Sequence, residues 1–180
     1  ITIGADSDCS NGVVWSIPVA EDNCEVVSVD ETSVGGPYFG ADLTPGTYDI
    51  EYTATDGNGN TAVCAFTIIV EDDDDPYLVC QPDFAVSADG DCEWSSTESL
   101  TDPSFVRDNC PDDVLGYVIT GETTASGTGV VPAATVFQLG ESTVTYTLTD
   151  GASNVVSCSF TVTVEDNEAP VITVCATDKT

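Results

Sequence analysis

The sequence contains no histidine and no methionine, and its 180 residues include only two basic side chains against 32 acidic ones. Without histidine, neither a Ser-His-Asp triad nor a Cys-His pair can be assembled, which excludes two common kinds of nucleophilic enzyme. A net charge of −30 repels nucleic acids and anionic membranes, because binding to either depends on Lys and Arg. Such a surface attracts cations instead.

Several motifs are absent as well. The chain has no G-x-x-x-x-G-K-[ST] or G-x-G-x-x-G stretch for nucleotide phosphates. It has no apolar run near the ~20 residues of a membrane helix, and no C-x-x-C pair to suggest an all-cysteine zinc site. Paired carboxylates could serve glycoside hydrolysis, but these acids cluster at turns, where they suit cation binding better. We therefore predict that the chain is not an enzyme.

The residues that are present describe a folded acidic protein. Apolar residues make up 41% of the chain and charged residues 19%, which is enough apolar material for packed cores and distinguishes the chain from an acidic tail. Its eight cysteines are widely spaced on strand-like segments and at turns. We interpret them as disulfide partners in an oxidising, extracytoplasmic compartment.

The chain is built from an internal repeat. "ITIGADSDC" at 1–9 aligns with "FAVSADGDC" at 84–92, "EDNC" at 21–24 with "RDNC" at 107–110, and the stretch at 50–76 with that at 144–170. The segments are short, rich in Val, Thr and aromatics, and alternate with period two, as strands do. We predict an all-β fold of tandem immunoglobulin-like β-sandwich domains joined by short acidic linkers. The expected divisions are a repeat lacking the start of its strand A at 1–75, a complete repeat at 76–169, and the first strand of a further repeat at 170–180.

The ordered motifs C…DNC…F-x-x-G…VTYT-x-TD…C-x-F-T-V-T-V-x-D…P occur twice, with loop departures at 38–46 and 120–135. In this order they resemble the hyalin repeat (HYR) family. The resemblance implies an extracellular immunoglobulin-like module that occurs in tandem and is associated with adhesion. Acidic, cysteine-rich versions resemble repeats of large secreted or surface proteins of bacteria, which predicts an extracellular or bacterial cell-surface location.

The acidic linker "EDDDDP" at 71–76 raises the question of a metal. In an immunoglobulin-like domain the B–C and F–G loops lie at the end where the chain enters, so three acidic stretches should converge there. Calcium takes six to eight oxygen ligands of this kind. We predict Ca²⁺ at each joint, which would stiffen it; the competing interpretation, a solvated linker ended by Pro76, stays open. The predicted ligands are Glu71, Asp72, Asp73, Asp74, Asp75, Asp108, Asn109, Asp150 and Asn154; Asp22, Asn23, Asp56, Asn58 and Asn60 in the first repeat; and Glu165, Asp166 and Asn167 in the second linker.

The resemblance also implies a disulfide between Cys80 and Cys158. The remaining partners would be Cys92 with Cys110 and Cys9 with Cys24, while a Cys110–Cys158 pairing stays open. Cys64 and Cys175 then lack partners in their own repeats. If the end of the chain is joined to its beginning, a normal strand A results. We therefore expect a head-to-tail array or filament, in which residues 171–180 complete the next domain; a boundary placed arbitrarily inside a domain is the alternative.

Three function classes follow from these features. We favour a structural, adhesive repeat of a long surface protein or filament, with neighbouring repeats or subunits as partners. A glycan- or protein-binding module acting through loops such as 120–135 is the alternative, and ice or mineral binding by a Thr-rich face is a third. We assign Trp15 and Trp94 to core packing rather than to sugar stacking.

Overall fold

The computed structural model describes residues 1–34, 38–97 and 101–173. Its described strands belong to two compact β units, and the fold is all-β and immunoglobulin-like, as predicted. Residues 174–180, which include Cys175, lie outside the described residues. Unit 1 comprises Ile1–Pro76, Arg107–Asp113 and Thr149–Val155; unit 2 comprises Tyr77–Val106, Val114–Leu148 and Val156–Thr180.

The strands of unit 1 are β1 (Thr2–Gly4), β2 (Asn11–Gly12), β3 (Val26–Glu31), β4 (Asp42–Leu43), β5 (Gly46–Asp56) and β6 (Thr61–Glu71). They form a four-stranded sheet of order β1-β6-β5-β3 and a small sheet of β2 and β4. β5 and β6 run antiparallel and are joined by the turn at 57–60, whereas β1 pairs with β6 in parallel. The core contains Val13 and Leu43 from the segments of the small sheet and Ile50, Tyr52, Ile68 and Val70 from the large one.

The remaining strands are β7 (Tyr77–Val79), β8 (Phe84–Ser87), β9 (Glu93–Ser95), β10 (Phe105–Arg107), β11 (Val114–Gly121), β12 (Ala125–Thr128), β13 (Val136–Gln138), β14 (Gly140–Thr149) and β15 (Val155–Glu165). Unit 2 contains a five-stranded sheet of order β12-β11-β14-β15-β8, with two-stranded sheets β13-β9 and β10-β7. β8 pairs in parallel with β15. Alternate residues of β14, among them Val144, Tyr146 and Leu148, are fully buried, as the period-two pattern predicts.

Both tryptophans pack against hydrophobic cores. The Trp15 ring meets Phe66 edge-on at a centroid distance of 5.7 Å, and its Nε1 donates a hydrogen bond to the Tyr52 hydroxyl at 3.0 Å. The ring centroid of Trp94 lies 5.6 Å from the ring centroid of Phe137, which is fully buried. These contacts agree with the core-packing assignment. Among the described residues, no helix has the length and apolar character needed to cross a membrane.

The segment 120–135 is integrated into unit 2. It contributes β12, and Val131 is fully buried in the core. The Val131 backbone N–H donates to the Tyr146 hydroxyl at 2.9 Å, and that hydroxyl donates to the Thr101 carbonyl, also at 2.9 Å. Thr123 and Val131 are buried, whereas most other residues of the segment are exposed, so binding through this segment stays a prediction.

Candidate metal centre

Asp72 is a buried carboxylate directly after the last residue of β6. Only 9% of the residue is exposed, and neither carboxylate oxygen has a hydrogen-bond partner. A buried ionised carboxylate without partners is strongly unfavourable unless the charge is compensated. Asp72 therefore marks a position that requires either a proton or a cation.

Asp150 is positioned by the turn between β14 and β15. Its carboxylate accepts hydrogen bonds from the Asn154 backbone N–H at 2.7 Å and from Asn154 Nδ2 at 2.8 Å. The same Nδ2 also contacts the backbone carbonyls of Asp72 and Asp74, both at 3.2 Å. Asn154 thus fastens the acidic linker to the turn that carries Asp150.

Asp108 is positioned by the loop that leads to Cys110. Its Oδ2 accepts a hydrogen bond from the Cys110 backbone N–H at 2.9 Å, the Asx arrangement that Asp commonly makes with its own backbone. Its Oδ1 is buried and has no partner, and the same is true of Asn109 Oδ1. Asn109 uses its Nδ2 to donate to the Asp6 carbonyl at 3.1 Å, which leaves its oxygen for another ligand.

The three aspartates converge within unit 1. One carboxylate oxygen from each of Asp72, Asp108 and Asp150 lies within 4.8 Å of the others. Burial raises the pKa of Asp72, and the negative charges of Asp108 and Asp150 raise it further. The Asp74 backbone N–H and the Asn109 side chain lie close enough to lower this pKa, but neither has the geometry of a hydrogen bond to the carboxylate. The only basic residues of the chain are Arg107 and Lys179, so the sequence supplies little positive charge to offset the cluster.

Asp113 is an additional carboxylate that the sequence analysis missed. Partial desolvation raises its pKa, followed by the charges of Asp108, Asp150, Asp72 and Asp112, although Asp113 as a whole residue is exposed. The signal in the sequence was the acidic pair that follows "RDNC" in the second repeat. The pair lies beyond the repeated motif, which ends at Cys110.

The donor set fits calcium better than a softer metal. It consists of carboxylate and amide oxygens with no His or thiolate among the three convergent residues, and hard cations such as Ca²⁺ prefer such oxygens. Unpartnered oxygens on Asp72, Asp108 and Asn109 are ones that a cation would satisfy. Asp72, Asp108 and Asp150 would hold the ion directly, and the unpartnered Asn109 Oδ1 is a further oxygen on the loop that carries Asp108.

Comparison with known proteins identifies the family. The HYR domain model matches residues 5–70 and 112–164. The chain belongs to the HYR domain family. This confirms the resemblance seen in the ordered cysteine, "DNC" and "TD" motifs.

Two relatives of the HYR chain are large proteins. It is 32% identical over 171 residues to mouse "Sushi, von Willebrand factor type A, EGF and pentraxin domain-containing protein 1", covering 93% of this chain and 4% of that protein. It is 30% identical over 174 residues to Hyalin of Lytechinus variegatus, covering 92% of this chain and 29% of that protein. The HYR chain thus spans less than a third of either relative.

Solved structures similar to the HYR chain include Drosophila N-cadherin EC1-3. That match has 18% sequence identity and a TM-score of 0.47, and it covers 91% of this chain and 62% of that one. Drosophila N-cadherin EC1-4 matches with 15% identity and a TM-score of 0.39, over 92% of this chain and 47% of that one.

The other predicted ligands of the linker lie outside the three-aspartate cluster. Glu71, Asp73, Asp74 and Asp75 are exposed. The Asp73 side chain lies against Gly4, because a Cβ atom at position 4 would come within 2.6 Å of Asp73 Oδ1. The linker therefore contributes one buried carboxylate, Asp72, and the four flanking acids face outward.

The first HYR repeat contains the same turn chemistry. The Asp56 carboxylate accepts hydrogen bonds from the Asn60 backbone N–H at 2.8 Å and from Asn60 Nδ2 at 2.7 Å, and the Asn60 side chain is the main reason that the pKa of Asp56 is lowered. Asp22 accepts from the Cys24 N–H at 2.8 Å, and with Asp56 and Asn60 it lines one surface hollow. Asn23 and Asn58 are exposed. The two loops match those of Asp108 and Asp150. Glu21 also lines the hollow, but among the described residues the acids here do not converge as Asp72, Asp108 and Asp150 do.

The second linker is arranged differently from the first. Glu165, Asp166 and Asn167 are all exposed. Asp166 accepts the Glu168 N–H at 3.0 Å, and Asn167 Nδ2 donates to the Ser87 hydroxyl at 3.1 Å. Among the described residues these three side chains form no carboxylate cluster, so their role as ligands stays a prediction.

The disulfides differ from the expected set. Cys80 bonds to Cys158, the pairing that the resemblance implies. The predicted Cys9–Cys24 and Cys92–Cys110 pairings are wrong, because Cys9 bonds to Cys110. The open Cys110–Cys158 alternative is wrong as well.

Cys110 explains the misassignment. Its loop, Arg107–Asp113, belongs to unit 1, where the turn carrying Cys9 also lies, whereas Cys92 belongs to unit 2. Cys24, Cys64 and Cys92 are therefore free and exposed. The Cys9–Cys110 bridge joins two sequence repeats, whereas the predicted pairings each lie within one repeat.

Proposed function

We propose that this HYR chain is a structural, adhesive repeat module of a long extracellular protein or filament, and that it binds Ca²⁺ at Asp72, Asp108 and Asp150. The observation that carries this proposal is the convergence of three carboxylates on buried, unpartnered Asp72. A divalent ion offsets the repulsion among them and satisfies oxygens that have no donor. The chain is non-enzymatic in this account, and Ca²⁺ acts structurally.

Calcium would hold three separate stretches of chain together. Asp72 follows β6, Asp108 lies in the loop before Cys110, and Asp150 lies in the turn before β15. An ion that binds all three stretches stabilises the folded state in which they are together, and it limits local opening of the chain there. The expected consequence is a linker that resists unfolding and proteolysis while calcium is present.

The extracellular location rests on the two disulfides and on membership of the HYR family. Disulfides persist in oxidising compartments outside the cytoplasm. A bacterial surface stays a prediction, because the relatives described above come from mouse and Lytechinus variegatus. The domain limits at residues 75 and 169, the head-to-tail partners, and completion of a next domain by residues 171–180 also stay proposals.

Limited proteolysis with thermal unfolding tests the proposed function. At a calcium concentration 100-fold above Kd, binding to the folded state stabilises it by about 2.7 kcal/mol, which corresponds to a rise of roughly 10 °C or more in the Tm of a unit of this size. Cleavage within residues 71–76 should be suppressed by calcium and restored by a chelator. Equal Tm and equal cleavage in calcium and in chelator would contradict the proposal.

A further inference from the structure

The two exposed cysteines Cys24 and Cys92 are repeat equivalents of the two that are bonded to each other. Cys92 aligns with Cys9 in "ADGDC" and "ADSDC", and Cys24 aligns with Cys110 in "EDNC" and "RDNC". Cys9 and Cys110 form a disulfide, whereas Cys24 and Cys92 are free and exposed. The chain therefore has one free cysteine equivalent to Cys9 and one free cysteine equivalent to Cys110.

The Cys92 half has the same local conformation as its bonded equivalent. The Cys9 N–H donates to the Asp6 carbonyl at 3.0 Å, and the Cys92 N–H donates to the Asp89 carbonyl at 3.0 Å. Both cysteines have a positive φ, 55° at Cys9 and 63° at Cys92, which non-glycine residues adopt rarely. The conformation of the bonded cysteine is thus present at Cys92 without a bond.

The Cys24 half also matches its bonded equivalent. The Cys24 N–H donates to Asp22 Oδ2 at 2.8 Å, and the Cys110 N–H donates to Asp108 Oδ2 at 2.9 Å. The loop that positions the sulfur is therefore formed in both repeats. The two halves of the bridge therefore keep, in their free copies, the local hydrogen bonds of the bonded Cys9 and Cys110.

We propose that Cys92 of one copy of this chain and Cys24 of the next form a disulfide equivalent to Cys9–Cys110. This inference rests on the head-to-tail arrangement in the proposed function, and it is independent of calcium at Asp72. Each copy carries one Cys92 and one Cys24, so the contact is heterologous, and it extends as an open array when the rotation between copies does not close a ring. The array would then be covalently linked along its length.

The chemistry is a two-step thiol–disulfide exchange with a small-molecule disulfide such as glutathione disulfide. The Cys92 thiolate attacks one sulfur of the oxidant, its S–S bond breaks, and one small thiol leaves. The Cys24 thiolate of the next copy then attacks the Cys92 sulfur of the mixed disulfide and releases the second small thiol. The two protein thiols lose two protons and two electrons, and the oxidant is reduced to two thiols.

The test isolates these two sulfurs. All chains carry Cys64→Ser and Cys175→Ser, because Cys64 is a third exposed thiol and Cys175 lies outside the described residues. One chain additionally carries Cys24→Ser and the other Cys92→Ser. Each is incubated alone and in an equal mixture with glutathione disulfide and calcium chloride at 0.15 M ionic strength, where electrostatic screening acts over about 8 Å.

The expected product is a covalent heterodimer in the mixture alone, with Cys92 of the Cys24→Ser chain joined to Cys24 of the Cys92→Ser chain by peptide mass spectrometry. Loss of this dimer in the mixture, or equal dimer from either chain alone, would overturn the inference. Intact Cys9–Cys110 and Cys80–Cys158 bonds and an unchanged β-type circular dichroism spectrum verify that each variant is folded.

An added Asp72→Asn substitution separates this inference from the calcium proposal. It removes a carboxylate from the cluster in unit 1 and changes neither Cys24 nor Cys92 nor the loops around them. The heterodimer should form to the same extent. Normal calcium binding without a heterodimer would refute only the disulfide, and a heterodimer without calcium binding would refute only the metal centre.

Discussion

Asn154 donates its side-chain amide to the backbone carbonyl of Asp72 at 3.2 Å, which joins the turn after β14 to the chain leaving β6. The same nitrogen holds the Asp150 carboxylate at 2.8 Å. Asn154 therefore sets the spacing between two of the three convergent aspartates. It acts as a positioning residue through its donor atoms.

Asn154→Ala should weaken calcium binding, with Asn60→Ala as the matched control. Asn60 makes the equivalent bonds to Asp56, and within the described ranges its side chain has no bond to an acidic linker. Loss of a residue that orients metal ligands typically costs 10–100-fold in affinity, so we expect that loss for Asn154→Ala and an unchanged calcium affinity for Asn60→Ala. Calorimetric titration measures both, and equal affinities for the two variants would contradict the assignment.

Asp72→Asn should have opposite effects with and without calcium. In chelator, replacing the charge removes the repulsion from Asp108 and Asp150 and supplies a donor to them, which we expect to stabilise the chain by about 1 kcal/mol. In saturating calcium the variant should be less stable than the wild type, because an ion ligand is lost. Thermal unfolding in both buffers checks this reversal.

Asp75→Asn is the matched control for that experiment. It removes the same charge from the same acidic run, but Asp75 is exposed and lies outside the cluster. Its effect on Tm should be small and of the same sign in both buffers. If Asp72→Asn behaved like Asp75→Asn, the linker would be a solvated spacer.

Acidification should separate the calcium-free and calcium-loaded forms. The folded-state pKa of Asp72 and of Asp113 is raised above the model-compound value of 3.8. Between the raised pKa and 3.8 the folded state binds more protons than the unfolded state, so the stability of the calcium-free chain rises as pH falls through that window.

Protons compete with calcium for the same carboxylates, so the calcium-dependent increase in stability disappears over the same pH window. Unfolding curves across a pH series, with calcium and with chelator, should therefore converge; parallel curves would be inconsistent with a site at these residues.

The two disulfides should differ in their effect on calcium. Cys9–Cys110 lies two residues from Asp108 and closes 101 residues, while Cys80–Cys158 closes 78. Loops of these sizes make comparable entropic contributions, so removing either bridge should cost roughly 2–5 kcal/mol. Only the Cys9→Ser/Cys110→Ser variant should also lose calcium affinity, because it frees the loop that holds Asp108. Equal calcium affinity in both double variants would show that the bridge does not support the centre.

The strands and the repeat could be predicted from the sequence. "TVTYTLT" and "CSFTVTV" alternate with period two because one face is buried, and they became parts of β14 and β15. The turns at Asp56–Asn60 and Asp150–Asn154 could be predicted because Asp, Gly and Asn have local backbone preferences that favour turns. These features depend on residues that are close in the chain.

The site and the bridges depended on residues that are far apart in the chain. Five acids in the linker look equivalent in the sequence, but only Asp72 is buried and lies beside Asp108 and Asp150, which come much later in the chain. Cys9 and Cys110 are 101 residues apart, and nothing local indicates that the loop with Cys110 belongs to unit 1.

Calcium titration of the intact chain by isothermal calorimetry, with Asp72→Asn alongside, tests the central claim most directly. We predict saturable binding with Kd of roughly 10⁻⁴ to 10⁻³ M, the range of extracellular calcium modules, and a loss of at least about tenfold in affinity, or about 1.4 kcal/mol, in the variant. Absence of saturable heat in the wild-type chain, or an unchanged Kd in Asp72→Asn, would contradict a calcium centre at Asp72, Asp108 and Asp150.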